Sequence, residues 1–280
     1  MVNVIGLSGG KDSVALWLWA KRGGLNPIAV YCDTRFEWGG HYKHLDLLEA
    51  RIGPIIRIAR HESFLEATRR HRMFPSRVKK WCSGELKMEP FRDWLNAYRE
   101  REQTDAVQLL LGYRRQESKD RADMVEREWS DFYKIDVWRP ILDWSIDDVI
   151  AEHRRAAIPM HPLYHAGAER VGCFPCVNAP KAELRLVSEM APERVDEIRE
   201  VEREIGRTMF TRDRRSEKRA LVRSGVPVEQ AGPSVVPISI DEVMAWACTK
   251  HGGKEIQLER PKTGCARWGS CEMPRTEDDE

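Results

Sequence analysis

Two hydroxyls, a cation and a carboxylate stand together on a pair of glycines in Ser8-Gly9-Gly10-Lys11-Asp12-Ser13. Those groups at that spacing suit a ligand rich in anionic oxygens. The Lys11 ammonium and the hydroxyls of Ser8 and Ser13 would hold a di- or triphosphate, and Asp12 would sit where a carboxylate reaches a Mg²⁺ on it. A second polar run, residues 112–121, holds Gly112, Arg114, Arg115, Glu117 and Arg121. Guanidinium forks match phosphate or sulfate oxygens two at a time, and Gly112 would let the backbone approach a ligand closely. The third chemistry is that of Cys173-Phe174-Pro175-Cys176, whose two thiolates can share one metal ion or cluster. With four thiolates a [4Fe-4S] cluster and a structural Zn²⁺ are both satisfied, and Cys265 and Cys271 in the tail can add to the pair.

These groups need elements to position them. Val2, Val4, Ile5 and Leu7 make a strand-length apolar run, Gly9 and Gly10 supply the freedom for a tight turn, and a helical pattern starts at Ser13. The unpaired N–H groups and positive dipole end of that helix would therefore face the anion. The spacing fits neither a Walker loop nor the dinucleotide G-x-G-x-x-G pattern. Further along, residues 26–31, 54–58 and 106–111 read as strands, and residues 42–50 and 84–98 as helices. Such alternation implies an α/β fold, a parallel sheet with helices on both faces. Ligands then sit at the carboxyl ends of the strands, which points to Ser8 through Ser13, to Cys32-Asp33-Thr34, and to Gly112 through Arg115.

A chain of 280 residues with 41% hydrophobic residues can bury one large core and a smaller appended region. The expected division is a nucleotide-binding domain over residues 1–185 and a helical region with a cysteine-bearing tail over residues 186–280. Residues 192–223, dense in Glu and Arg, read as an exposed helix or helical hairpin, residues 226–237 as a linker, and residues 240–250 as a short helix. No apolar run is long enough to span a bilayer, which argues against a membrane partner and for a cytoplasmic protein. Seven cysteines in that compartment read as free, metal-bound or catalytic thiols, with Cys32 and Cys248 as small core residues. A net charge of +1 demands no nucleic-acid partner, and the basic run from Arg69 to Lys80 reads as a solvated face. The eight histidines show no metal-binding spacing on a helix.

Several motifs in fixed order resemble the phosphoadenosine phosphosulfate reductase family of the PP-loop ATP pyrophosphatase, or adenine nucleotide alpha hydrolase-like, superfamily. They are Ser8 to Ser13; Asp33-Thr34; Trp81-Cys82 with Leu86-Lys87 and Pro90; Gly112 to Arg121; Pro140-Ile141 with Trp144 and Asp148-Val149; and His161-Pro162-Leu163-Tyr164 with Gly167, Arg170 and Gly172 to Cys176. The resemblance implies an adenine nucleotide, ATP or adenylyl sulfate, lying across strands one, two and four. Its anionic end would meet Ser8, Gly9, Gly10, Lys11, Asp12, Ser13, Gly112, Arg114, Arg115, Glu117, Arg121 and Arg170, with Asp33 on the adenosine side. It assigns catalysis to Lys11, Asp12 and Arg115, and makes Cys82 a candidate metal ligand beside Cys173, Cys176 and one of Cys265 and Cys271. Ser83 stands where cluster-bearing relatives carry a second cysteine, and His161 where the family has asparagine, a change read here without a metal role.

The family's K-x-x-E-C-G-x-H tail is absent, Ser270-Cys271-Glu272 being a weak echo of it. The expected activity is therefore ATP pyrophosphatase or adenylylation chemistry coupled to iron-sulfur-dependent sulfur transfer, with a sulfur donor and a tRNA or DNA acceptor as partners. The alternative is reduction of adenylyl or phosphoadenylyl sulfate to sulfite with Cys265 or Cys271 as nucleophile. A nucleotide-binding subunit without turnover is a third reading.

Overall fold

The computed structural model describes residues 1–76, 79–213 and 215–249. The described chain divides into two compact units, one built from Met1–His61 and Cys82–Phe174 and the other from Glu62–Trp81 and residues 175–249. The first holds β1 (Val2–Gly6), α1 (Lys11–Arg22), β2 (Ile28–Asp33), α2 (Gly39–Ile52), β3 (Ile55–Ala59), α3 (Glu89–Glu102), β4 (Val107–Leu110), β5 (Arg127–Ser130), β6 (Ile135–Trp138) and α4 (Ile146–Arg155). Its strands form one six-stranded sheet in the order β3-β2-β1-β4-β6-β5. All neighbours are parallel except β5, which returns antiparallel on β6.

The two-residue period of the strands divides their side chains between two cores. Ile5 and Leu110 bury with Leu16, Trp17, Leu45 and Leu48 on one face. Val4 and Leu109, their immediate neighbours in sequence, bury with Phe91 and Leu95 on the other. The sheet is therefore covered by helices on both faces, which is why its central strands read as continuous apolar runs. From β1 the chain moves outward through β2 and β3, then returns to the opposite side of β1 to make β4. Loops leaving the carboxyl ends of β1 and β4 part in opposite directions, and a crevice opens there.

α1 lies at that crevice and is buried almost all round, its first three residues Lys11, Asp12 and Ser13 included. α4 backs it: the backbone carbonyl of Lys11 lies 2.9 Å from His153 Nε2, and the buried carboxylate of Glu152 takes Arg22 Nε at 3.0 Å and Arg155.

The second unit carries helices Phe64–His71, Lys181–Met190, Pro192–Ile205, Arg215–Arg223 and Ile240–Ala247, and a two-stranded antiparallel pair, Phe210–Asp213 with Val235–Ile238. Three sequence expectations are corrected here. The stretch over residues 192–223 is broken, because Gly206 takes the left-handed conformation (φ 66°) that ends the helix, and a strand follows. Residues 226–237 are not all linker, since Val235 to Pro237 pair in that strand ladder. Cys248, expected in the core, is exposed at the carboxyl cap of the last helix. Among the described residues no helix is long and apolar enough to cross a membrane.

Candidate functional site

The turn between β1 and α1 is shaped by its own serines. Ser13 Oγ donates to the Gly10 carbonyl at 3.0 Å and lies 3.0 Å from Ser8 Oγ, while it accepts the Ser8 amide at 3.1 Å. Gly9 sits at φ +70°, a conformation that costs glycine little and side-chain-bearing residues more. Gly10, the residue before the helix, makes no side-chain cap. Tyr164, wholly buried, accepts the Lys11 amide at 3.2 Å through its hydroxyl, and burial raises that phenol's pKa. The serines and Tyr164 thus fix the loop's shape.

Three charged side chains meet where the loop enters α1. Asp12 pairs through one oxygen with Lys11 Nζ at 3.0 Å and through the other with Arg114 Nε at 2.6 Å. All three are at least nine-tenths buried as residues. Two cations held on one carboxylate out of water form a setting in which an anionic ligand would be bound strongly. The same geometry gives Asp12 a second task, since both its oxygens already hold a cation.

β4 brings the second half of the site. A Cβ on Gly112 would stand 2.9 Å from the Asp12 carbonyl oxygen and 3.0 Å from Ser13 Cα. Gly112 is therefore the point where the β4 loop crosses against the first turn of α1, backbone on backbone. Glu117 accepts the Arg114 amide at 2.9 Å and pairs with Arg121, whose guanidinium lies 4.2 Å from the Tyr113 ring centre. Arg115 turns elsewhere, to Asp143 at 2.7 Å and to the carbonyls of Ala122 and Met124. Arg170 is exposed. At the end of β2, Asp33 accepts the Arg35 amide at 2.7 Å and the Tyr42 hydroxyl at 2.9 Å.

The two arginines should consequently respond differently to lysine. Arg115→Lys is expected to shift unfolding free energy by no more than about 0.5 kcal/mol, since its partner is solvent-exposed. Arg114→Lys loses the guanidinium contacts to Asp12 and to the Trp144 carbonyl and should cost about 1–3 kcal/mol. Urea unfolding of both variants measures the difference; equal losses would show that Arg114 is no more embedded than Arg115.

The cysteines are placed one by one. Cys173 Sγ lies 3.6 Å from Thr34 Oγ1, and the backbone of Cys173 bridges to that of Glu37. Glu37 is itself buried, which raises its pKa, and accepts the Thr34 hydroxyl at 2.8 Å. Cys82 is half-buried in the short helical turn Trp81–Ser83. Cys176, in the second unit, is half-buried and its carbonyl accepts the Ala179 amide at 2.8 Å. Cys32 packs against the sheet core, and burial pushes its thiol up to about 12. No disulfide joins any two of the five described cysteines, and Cys265 and Cys271 lie outside the described residues. Among the described residues no three His, Cys, Asp or Glu side chains gather to hold a metal ion.

Sequence reasoning missed three contributors: Tyr164, His153 and a buried group of histidines, His41, His44 and His161. Tyr164 stood in a motif already marked by the family resemblance. His41 and His44 are three apart on one helix and hence on one face, a spacing that signals a shared environment.

A mostly parallel six-stranded sheet, covered by helices on both faces and with a buried Lys11–Asp12–Arg114 group at the reversal of its strand order, defines an α/β protein of the doubly wound class. The phosphoadenosine phosphosulfate reductase domain model matches residues 3–179, and the chain belongs to that family. An uncharacterized 37.8 kDa protein of Escherichia phage 186 is 32% identical, with 97% of each chain aligned. An adenosine 5'-phosphosulfate reductase of Neisseria meningitidis serogroup A is 30% identical over 51% of this chain and 59% of its own length. Among solved structures, a phosphoadenylyl-sulfate reductase from Candida auris in complex with phosphate aligns with a TM-score of 0.47 and 17% identity, over 63% of this chain and 83% of that one.

Proposed function

We propose that this chain is an adenine-nucleotide enzyme that acts on the phosphate chain of ATP in the service of sulfur chemistry. The buried Lys11–Asp12–Arg114 group at the amino end of α1 carries the reading. In this account the phosphate chain lies along Gly9, Gly10 and the uncapped start of α1, with the adenosine toward Asp33 at the end of β2. An acceptor oxygen attacks the α-phosphorus, the bond to the bridging oxygen breaks, and pyrophosphate leaves with the electron pair. Lys11 and Arg114 then neutralise the charge that grows on the leaving group, an electrostatic role that the dry setting strengthens. Mg²⁺, when bound, would supply further positive charge against the departing phosphates. Because Asp12 already holds two cations, its task in this account is to orient them.

A second reading is favoured by the adenosine 5'-phosphosulfate reductases among the relatives: the same cradle would hold adenylyl sulfate, a thiolate would attack its sulfur with AMP as leaving group, and a second thiol from an added dithiol would release sulfite as a disulfide forms. A metal centre is proposed on the donor set alone. Cys82, Cys173 and Cys176 supply thiol donors, and Cys265 or Cys271 would complete four. Such a centre would be a [4Fe-4S] cluster, with Zn²⁺ as the alternative, and no step above is routed through it. A sulfur donor and a tRNA or DNA acceptor remain part of the proposal.

The experiment is product analysis on the anaerobically purified full chain. With ATP, Mg²⁺ and a sulfur acceptor, pyrophosphate should accumulate; with adenylyl sulfate and a dithiol, sulfite marks the second reading. Lys11→Ala should lower affinity for ATP by roughly tenfold or more while the protein stays folded, through loss of a charge-assisted contact. Equal calorimetric affinities for variant and parent would remove Lys11 from the site.

A further inference from the structure

Beneath the phosphate loop lie three histidines that the proposed reaction does not use. His41 and His44 project from α2 and His161 precedes Leu163, and they are 1%, 5% and 1% exposed. His161 Nδ1 accepts the Leu163 amide at 3.1 Å, so it carries no proton. In the neutral ring the proton is then on Nε2, which lies 3.1 Å from His41 Nδ1 and donates to it. His41 Nδ1 is in turn an acceptor, and its own proton is on Nε2. Burial keeps these rings neutral, lowering His41 to about 4 and His161 further. That last N–H is buried and has no partner among the described residues.

The unpartnered donor lies against the loop. A Cβ placed on Gly9 would stand 2.7 Å from His41 Cε1 and 3.5 Å from His41 Nε2, so the imidazole edge packs directly on the Gly9 Cα. Gly9, at φ +70° and without a Cβ, is the residue of the loop whose flanking peptide planes can turn at least steric cost. Buried donors without acceptors are rare in folded proteins, and each calls for a physical explanation.

We infer that His41 is a positioning residue of the phosphate loop, its Nε2–H being the donor that holds the loop in its anion-bound form. The inference rests on the nucleotide-site reading above. In the free chain the Leu163–His161–His41 relay fixes the ring and its tautomer but leaves the last donor unmade. When an anion gathers the amides of Gly9 and Gly10, the peptide planes turn and a loop carbonyl reaches His41 Nε2. The hydrogen bond then forms in the bound state alone, so its free energy appears as affinity for the ligand.

Long-range proton–nitrogen NMR on the ¹⁵N-histidine full chain, titrated with ADP, tests this. His161 and His41 should both show the Nε2–H tautomer, and the His41 Nε2–H signal should shift downfield as ADP saturates. His41→Phe should weaken ADP binding by roughly tenfold and shrink the rise in Tm that ADP produces, and His41→Gln, which keeps a side-chain amide donor, should recover part of both. ADP binding that leaves the His41 signal unmoved, or a Phe variant that binds as the parent does, overturns the role of His41 and leaves the nucleotide site standing. If the parent chain binds no ADP, the nucleotide reading fails and the inference with it. Should His41→Phe not fold, the tautomers and the titration of the parent protein decide.

Discussion

Asp12→Asn should be among the most damaging single changes in this chain, lowering unfolding free energy by about 3–5 kcal/mol, as expected when one partner of a buried charge group is removed. Asp12 pairs with both Lys11 Nζ (3.0 Å) and Arg114 Nε (2.6 Å), and the three side chains are only 9%, 10% and 6% exposed for Lys11, Asp12 and Arg114. Without it both cations lose a carboxylate partner in a dry site. The same reasoning predicts an asymmetry with ligand. An anionic nucleotide binds those cations in place of the lost carboxylate, so at one fixed ATP concentration the variant should gain more stability than the parent, a hundredfold excess over its own Kd giving either protein about 2.7 kcal/mol. Urea unfolding with and without ATP measures both figures. A loss below about 1 kcal/mol would mean that water screens the group and that the cradle is not the electrostatic device described here.

Gly112→Ala should act through shape alone. Its Cβ would stand 2.9 Å from the Asp12 carbonyl oxygen and 3.0 Å from the Asp12 carbonyl carbon, both backbone atoms of the first turn of α1. Neither contact can be relieved by a rotamer change. The loop after β4 must move away from α1, at a cost of about 1–3 kcal/mol for overpacking. Arg114, two residues on, moves with it, so ATP affinity should fall by roughly tenfold or more, one hydrogen-bonded charge contact being lost. Calorimetry and urea unfolding on one preparation separate the two effects. Parental affinity would show that the crossing of the two loops is not what sets the site.

How far the residues announced all this varies along the chain. The strand, glycine turn and helix over the first twenty-two residues were legible because periodicity, turn chemistry and charge agree there, and β1 and α1 form as expected. The parallel sheet was legible from alternation. Edges moved where tertiary pairing overrides local signals: Asn26 takes φ 44°, so β2 starts at Ile28 and runs on to Asp33 beside β3. Gly39 and Gly40, which suggest a break, open α2. The β5–β6 hairpin gave no clear signal, because β5 is a short edge strand whose residues are mostly exposed. Beyond residue 190 the Glu and Arg pattern concealed a strand, since ion pairs such as Arg199 with Asp196 decorate a helix surface without marking where it ends.

The candidate site divides in the same way. Residue type marked the candidate loop, but not the pairing inside it. That Asp12 would hold Lys11 and Arg114 together depends on a contact across 102 positions of sequence. Arg114 and Arg115 are neighbours of equal chemistry, yet one turns to Asp12 and the other to Asp143, a choice made by the backbone after β4. The role of Gly112 also changed, from close approach to a ligand to close approach to α1. The histidines beneath Gly9 come from α2 and from the loop before Leu163, and their hydrogen bonds become visible only in three dimensions.

The central claim is that an adenine nucleotide lies with its phosphates on the turn between β1 and α1. A crystal structure of the full chain with a non-hydrolysable ATP analogue and Mg²⁺ tests it most directly. Phosphate oxygens should lie within about 3 Å of Lys11 Nζ and of the Gly9 or Gly10 amides, the hydrogen-bonding distance, with the adenosine toward the end of β2. Density for the analogue elsewhere, such as the cavity of about 590 Å³ at the amino ends of the strands lined by Asn3, Gln108 and Trp138, would contradict the account, as would an empty cradle at saturating analogue.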